Sequence, residues 1–413
     1  MPKKNPYRWV VLIFLFTAFT LQFSTYLSWN PFIPLSKDLF GFTASQSAFI
    51  VASVAFGRML FQIPGGIVVD MFSAKKLLIT SLLILSVSTT IVGLADSYWV
   101  ILFGQFLIGL SGVVVMPLCI KVVLDWFPAQ ECDLVSGVLN SAASVAVILT
   151  NVLIPFVVLN FTWNMSFYIL GAGCFSVAIL ILCCLKLHKQ EPTAKKKHKF
   201  KLATFTDLLK DRRFRVAMMA HAGAIYTTWG INSWLAMYLK NIGLDTQIVS
   251  QMMFLFGLYG CISMASAGVF TRGNFQRRCR FLFCIFFITL LMLIILPFIN
   301  SEFILWIYVG FLGIIAFAHF GPLNVFVANL VDTKVFATAI AISIFVWQIA
   351  SITQSLLIGK ILDNMTDDIS YHLAFLIIAL GSISSCMALL KVLFRKKVIY
   401  KSHHSHRRNA VKS

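Results

Sequence analysis

Residues 50–76 read IVASVAFGRMLFQIPGGIVVDMFSAKK. The first twenty are nearly all apolar, and Arg58 stands in their midst. A run of about 20 apolar residues matches the hydrocarbon thickness of a bilayer, so the stretch predicts a membrane-spanning helix. Arg58 lies about 14 residues into a span placed at 44–69, roughly 21 Å from its start at 1.5 Å per residue. An arginine facing lipid at that depth costs roughly 3 kcal/mol or more. It therefore has to face the protein interior. The closing QIPGG…D….KK marks the helix's exit.

The rest of the chain repeats this pattern. Of 413 residues, 59% are hydrophobic and only 12% charged, and the mean hydropathy is +0.87. That composition predicts an all-α membrane protein. We place spans at 9–34, 44–69, 77–95, 99–124, 134–159, 166–187, 216–238, 249–271, 281–299, 303–328, 335–360 and 370–394. The first carries a basic flank but no small-x-small cleavage site, so it is expected to be an uncleaved helix. The nine cysteines fall in spans or in loops on the basic side, so no disulfide framework is implied.

The formal net charge of +19 points to topology rather than to nucleic acid. Of the 34 Lys and Arg, all but Lys37, Arg58, Lys240 and Lys360 fall on one side of the predicted spans. The positive-inside rule makes that side cytoplasmic, with both termini there. The excess charge suits anionic lipid headgroups. A basic linker, 188–215, divides an N-terminal bundle at 1–187 from a C-terminal bundle at 216–394. A short amphipathic helix is expected in the linker near 204–214. A basic tail follows at 395–413, and its three histidines are expected to be solvated.

The two halves echo one another. Gly66 and Lys75 recur as Gly268 and Arg277, Trp163 and Phe167 as Tyr371 and Phe375, and Pro117 as Pro322. The offsets are 202, 208 and 205 residues. Two homologous six-helix bundles packed around a central cavity are expected.

With these residues in view, the chain resembles the major facilitator superfamily over nearly its whole length. Gly66, Asp70 and Lys75 stand in register with the family's Gly-x-x-x-Asp-Arg-x-Gly-Arg-Lys signature, while Met71, Ser73 and Ala74 depart from it. The second copy keeps Gly268 and Arg277 but has Arg272 where the Asp belongs. WFPAQE at 126–131, WNMSF at 163–167 and GKILD at 359–363 are similar to family features. QIPGG at 62–66 resembles the organic-anion and sugar-phosphate permease branches. The resemblance implies that Asp70 engages the N-terminal end of the eleventh helix and latches an outward-open state. Lys75, Lys76 and Arg277 would support that gate. It also implies a pore-facing Arg58. Many proton-coupled members carry Arg where this chain has Gln105.

Two readings of Arg58 follow from the residues. Its planar fork of donors binds an anionic substrate group, or it is a structural cation paired to helix-end carbonyls and polar side chains. No Asp or Glu lies deep in any span, which favours an anion or zwitterion over a cationic substrate. Further substrate-binding candidates are Gln22 and Tyr26, one turn apart on the first helix. Asn140, Ser144 and Asn151 share a face of the fifth, and Tyr226, Thr227 and Asn232 lie on the seventh. Trp347, Gln348, Ser351 and Ser355 lie on the eleventh. His319 is the one histidine well inside a span and the candidate proton carrier. The Gly321-Pro322 step beside it predicts a kink.

The expected function is alternating-access transport of a small organic solute: a carboxylate, phosphate ester or amino acid moved with protons. Proton-driven export of a metabolite, siderophore or drug is the alternative, and a non-transporting receptor on a transporter scaffold is a third. The chain has no P-loop, no metal-ligand spacing and no catalytic constellation, so neither an enzyme nor a cofactor is expected. A monomer in a bacterial inner membrane, without nucleic acid, completes the expectation.

Overall fold

The computed structural model describes residues 6–186, 210–271, 275–330, 336–365 and 369–393. The expected linker helix near 204–214 falls largely outside these residues, and the basic tail and Arg272 do so entirely. The side chain of Asp70 also lies outside the described residues.

All the regular structure described is helical. The helices are α1 (Tyr7–Tyr26), α2 (Ser36–Phe40), α3 (Ala44–Met71), α4 (Ala74–Gly93), α5 (Tyr98–Gly112), α6 (Val115–Trp126), α7 (Ala129–Asn160) and α8 (Trp163–Cys184). After the linker come α9 (Arg212–Asn241), α10 (Thr246–Phe270), α11 (Phe275–Ile295), α12 (Glu302–Phe317), α13 (Phe320–Leu330), α14 (Phe336–Asn364) and α15 (Ile369–Leu393). Eleven stretches are long and apolar enough to cross a membrane. The protein is a multi-pass integral membrane protein, and its exposed surface suits lipid: Trp99, Phe103, Ile307 and Phe311 all point outward.

α9 is the helix that falls short on apolarity, and its position explains why. It packs against α10, α13, α14, α15 and the 3-10 turn Asn30–Leu35. Nearly every side chain from Val216 to Leu239 is buried or half-buried, including His221, Thr227, Thr228, Asn232 and Ser233. A helix enclosed by other helices meets little lipid, so polar residues on its faces do not bear the full cost of hydrocarbon.

Two predicted spans are broken in the same way. The fourth divides at Val113-Val114 between α5 and α6, and the tenth at Ala318-His319 between α12 and α13. Pro117 and Pro322 each sit third in the second segment. A proline in a first turn costs no intrahelical hydrogen bond, because that N–H would have none. The kink expected at Gly321-Pro322 is thus a break just before that step. α3, by contrast, runs through Pro64 to Met71.

α3 packs against α14, and α7 against α10. One end of the α3–α14 pair is clamped. Thr43 and Gln46 form a reciprocal capping box at the start of α3, Thr43 Oγ1 accepting from Gln46 N at 3.2 Å. The remaining first-turn donors turn to Asp363, at the end of α14. Ala44 N donates to its Oδ1 at 2.7 Å and Ser45 N to its Oδ2 at 2.9 Å. A carboxylate here satisfies orphan N–H groups and meets the positive end of the helix. Close approach depends on Gly359, where a Cβ would meet the Ala48 side chain and the Ala44 carbonyl.

Candidate functional site

Arg58 sits where α3 crosses α5. A Cβ on Gly57 would strike the Phe106 carbonyl, and one on Gly109 the Val54 carbonyl, so these glycines let the two backbones touch. That crossing fixes the turn carrying Arg58 and leaves its side chain pointing inward, 2% exposed. Val51, Ala55, Arg58 and Gln62 recur at helical spacing on one face of α3.

The arginine meets aromatic rings rather than an acid. Its Cζ lies 5.5 Å from the Tyr26 ring centroid and 5.7 Å from that of Phe23, both on α1. Such contacts are worth about 0.5–2 kcal/mol each. Removing an ion from water costs several kcal/mol even after the protein relaxes. The rings therefore offset only part of the burial cost. Among the described residues no carboxylate pairs with Arg58, and its Nε has no hydrogen-bond partner.

The opposite wall comes from α9 and α14. Trp229 stacks on Phe23 with ring centroids 6.0 Å apart and meets Tyr26 edge-on at 6.3 Å. A narrow pocket opens here, lined by Tyr26, Asn30, Trp229, Ser233, Gln354 and Ser355 among others. Gln22 Oε1, Trp229 Nε1 and Gln354 Nε2 are buried without partners. Arg58 is not itself among the residues lining the pocket and meets it through Tyr26. Buried polar atoms are nearly always hydrogen-bonded, so the orphans on the pocket wall, at Trp229 and Gln354, are the mark of a polar binding site.

The structure brings together some of the predicted residues and separates others. Arg58 and Tyr26 meet directly. Gln22 is buried one turn from Tyr26 and reaches toward Gly112, at the α5–α6 break. Ser351 and Ser355 line the pocket. Trp347 and Gln348 are buried on α14, and all three of their side-chain nitrogen and oxygen atoms are unpartnered. Trp347 lies 6.1 Å from His221, one turn before Ser351. Asn140 is half-buried on α7. Asn151 donates from Nδ2 to Val147 O of its own helix at 2.9 Å. Tyr226 packs on Gly381 of α15, and Thr227 Oγ1 donates to Ile378 O on the same helix.

His319 is 1% exposed at the α12–α13 break, with its Nε2 unpartnered. At the far end of α3, Lys75 Nζ donates to Leu182 O of α8 at 2.9 Å, and Lys121 Nζ to Val69 O at 3.2 Å. Lys76 and Arg277 are exposed.

Phe23, Asn30, Trp229 and Gln354 were not among the sequence-derived candidates. Gln354 had a signal: it continues the stripe of Trp347 and Ser351 at helical spacing. Trp229 had none beyond its helix, since what marks it is the ring from α1 lying across from it.

Known proteins share this chain's sequence pattern and fold. The sequence pattern of the Major Facilitator Superfamily matches residues 12–355. A hexuronate transporter of Bacillus subtilis (strain 168) is 24% identical over 266 residues, 62% of this chain and 63% of that protein. A probable galactarate/D-glucarate transporter, GudP, of the same organism is 24% identical over 196 residues, 46% of this chain and 43% of that protein. A probable sulfoacetate transporter, SauU, of Cupriavidus necator is 29% identical over 139 residues, 34% of this chain and 32% of that protein. The chain thus spans less than two thirds of the length of each. A bacterial homolog of the human lysosomal transporter Spinster, solved inward-facing and occupied, shares the fold with a TM-score of 0.67 at 14% identity. The likeness covers 95% of this chain and 96% of that one.

Proposed function

This chain belongs to the Major Facilitator Superfamily, a family of transporters rather than enzymes, and we propose that it moves a small organic anion or zwitterion by alternating access. One observation carries the reading: Arg58 is buried against two aromatic rings, and no carboxylate among the described residues pairs with it. A permanently charged, planar donor in such a site is matched by a carboxylate, sulfonate or phosphate. Relatives named for hexuronates, hexarates and sulfoacetate, all acids, support the same class.

In this reading two six-helix bundles, 1–187 and 216–394, rock about the Arg58 pocket, with both termini cytoplasmic in a bacterial inner membrane. The Asp363 clamp then closes the outer end. Asp70, Lys75, Lys76 and Arg277 sit at the cytoplasmic end, as the family's gate requires. Protons drive the cycle, and His319 is the group that carries them. The protein works as a monomer.

The test is uptake into proteoliposomes of labelled hexuronate, hexarate, sulfoacetate and amino acids, with and without an inward proton gradient. Uptake of an acid, stimulated by the gradient and lost in Arg58→Ala, is the expected result. The variant's elution profile and thermal stability verify that it is folded. Undiminished uptake by Arg58→Ala overturns the binding role of Arg58.

A further inference from the structure

α7 and α10 meet along a seam between the two halves of the chain, since α7 precedes the linker and α10 follows it. The crossing is close. A Cβ on Gly257 of α10 would strike the Ile148 side chain of α7 and crowd its backbone N. Nearer the start of α10 one hydrogen bond joins the halves: Ser250 Oγ donates to the main-chain carbonyl of Asn151 at 2.5 Å.

That carbonyl is free to accept for a reason found in the sequence. In an α-helix the carbonyl of residue 151 takes the N–H of residue 155. Residue 155 is a proline inside α7, and proline has no N–H to give. The Asn151 carbonyl is therefore left over within its own helix, on a residue 3% exposed. A buried carbonyl without a partner is costly, so a donor from elsewhere is favoured. The Asn151 side chain is engaged otherwise, its Nδ2 donating to Val147 O at 2.9 Å. Ser250 supplies the donor from the other half. A helical serine commonly bonds a carbonyl three or four residues back on its own helix, as Ser266 of α10 does with Ile262 O at 2.8 Å. Ser250 instead crosses the seam.

Both partners line a second pocket, together with Pro31, Pro155 and Lys240 among others. Pro31 belongs to the turn Asn30–Leu35, whose first residue lines the pocket beside Tyr26. One face of α9 passes both pockets, with Trp229 and Ser233 on the first and Ala236 and Lys240 on the second, at helical spacing. The turn packs on α3 as well as on α7. The Ser250 contact thus lies at the same end of the molecule as the Asp363 clamp on the first turn of α3.

We propose that the Ser250 hydroxyl and the proline-freed Asn151 carbonyl form a reversible latch that holds the α7–α10 seam shut at this end, as Asp363 holds the α3–α14 seam. The proposal rests on the alternating-access reading above and adds a device to it. The two fastenings differ in kind. The Ser250 latch joins neutral groups, so no ion has to be rehydrated when it opens. As the seam parts, water from the second pocket replaces the hydroxyl on the Asn151 carbonyl, and Ser250 turns back to a carbonyl of its own helix. Each state satisfies both groups, so the seam trades one hydrogen bond for others and passes between closed and open at little cost. Pro155 is what makes the exchange possible. With an N–H at that position the carbonyl would be held within α7, and the latch would have no acceptor.

Hydrogen exchange read by mass spectrometry, on the purified full-length protein in nanodiscs, tests this without a substrate. In Ser250→Ala, amide exchange at residues 249–256 of α10 should speed up about 2- to 10-fold, the range for one net hydrogen bond. Exchange should slow at the other ends of the same helices, near Ala129 and Phe270, because a shift between two states closes one end as it opens the other. Local fraying would not slow it there. Ser250→Thr keeps a hydroxyl and should exchange as the native chain does. Pro155→Ala should loosen the start of α10 as Ser250→Ala does, and the double variant should be no looser than either single one, as for groups that act as a unit. Elution profile and thermal stability verify that each variant is folded. Native-like exchange at residues 249–256 in Ser250→Ala overturns the latch. So does a rise there with no slowing at the far ends, or an equal further rise when Ser250→Ala is added to Pro155→Ala. Proteoliposomes of the native protein that move none of the labelled acids would instead defeat the transport reading, while the exchange measurements would still decide the latch.

Discussion

Arg58 and the buried histidines are opposite solutions to the same problem. At Arg58 the protein buries a group that is charged at any physiological pH and cushions it with the faces of Phe23 and Tyr26. At His221 and His319 it buries groups that can be neutral and leaves one nitrogen of each, Nδ1 and Nε2 respectively, unpartnered. A fixed charge suits recognition of an anion whatever the pH. A titratable imidazole suits a proton that must come and go. The difference also separates the residues by helix. Arg58 belongs to α3 in the first half, and the histidines to α9 and the α12–α13 break in the second.

The comparison breaks most severely at Arg58 itself. Arg58→Ala should reduce acid uptake by roughly 10- to 100-fold, the range for losing a charge-assisted hydrogen bond. Arg58→Lys should recover only part of it, since an ammonium cannot reproduce the planar fork. Initial rates in proteoliposomes measure both.

Arg58→His would sharpen the contrast by making the first site resemble the second. Binding of the acid should then become pH-dependent. It should strengthen as pH falls through the range where an imidazole takes up its proton and disappear at higher pH. Binding isotherms at stepped pH test this, and a flat profile would show that charge at position 58 is not what the substrate meets.

A smaller effect is expected on the opposite wall. Trp229→Leu removes the ring stacked on Phe23 and should raise the KM about 2- to 10-fold, in keeping with an aromatic pair worth about 0.5–1.5 kcal/mol. An unchanged KM would place substrate away from α9. The smallest effect belongs to the clamp. Asp363→Asn keeps the shape but loses the charge on the first turn of α3, worth about 0.3–1 kcal/mol. Cysteine accessibility near Ala44 and Asp363 should rise a few-fold, and no change would mean that the clamp does not hold this end closed.

Some of this was legible in the chain. Hydropathy runs located the spans, and the Gly321-Pro322 step pointed to an irregularity in one of them; Pro117, its counterpart in the repeat, stands at the matching break. Arg58 was readable because a charge at mid-span is conspicuous against apolar neighbours, and Val51, Ala55 and Gln62 share its face by spacing alone. Tyr226 shows what spacing does not reveal. Its position on α9 suggests the cavity, and the absence of a side chain at Gly381 lets α15 pack against its ring, a neighbour that no spacing reveals. Trp229 went unnoticed because its partners lie on α1, about 200 residues earlier. α9 also blurred the hydropathy signal, since enclosure by neighbouring helices relaxes the need for apolar residues.

By itself the sequence determined that this is a multi-pass helical membrane protein with a cation near mid-span and no acid at that depth. Those properties follow from local composition, because a bilayer acts on each helix's length and polarity. Only the tertiary structure decided which polar groups meet: Trp229 across from Tyr26, His221 beside Trp347, and Asp363 on Ala44 and Ser45, over 300 residues away in the chain. Those pairings depend on helix crossings set by close contacts such as Gly359 with Ala48 and Gly230 with Gln354, and shape complementarity between distant helices leaves no periodic trace in either one.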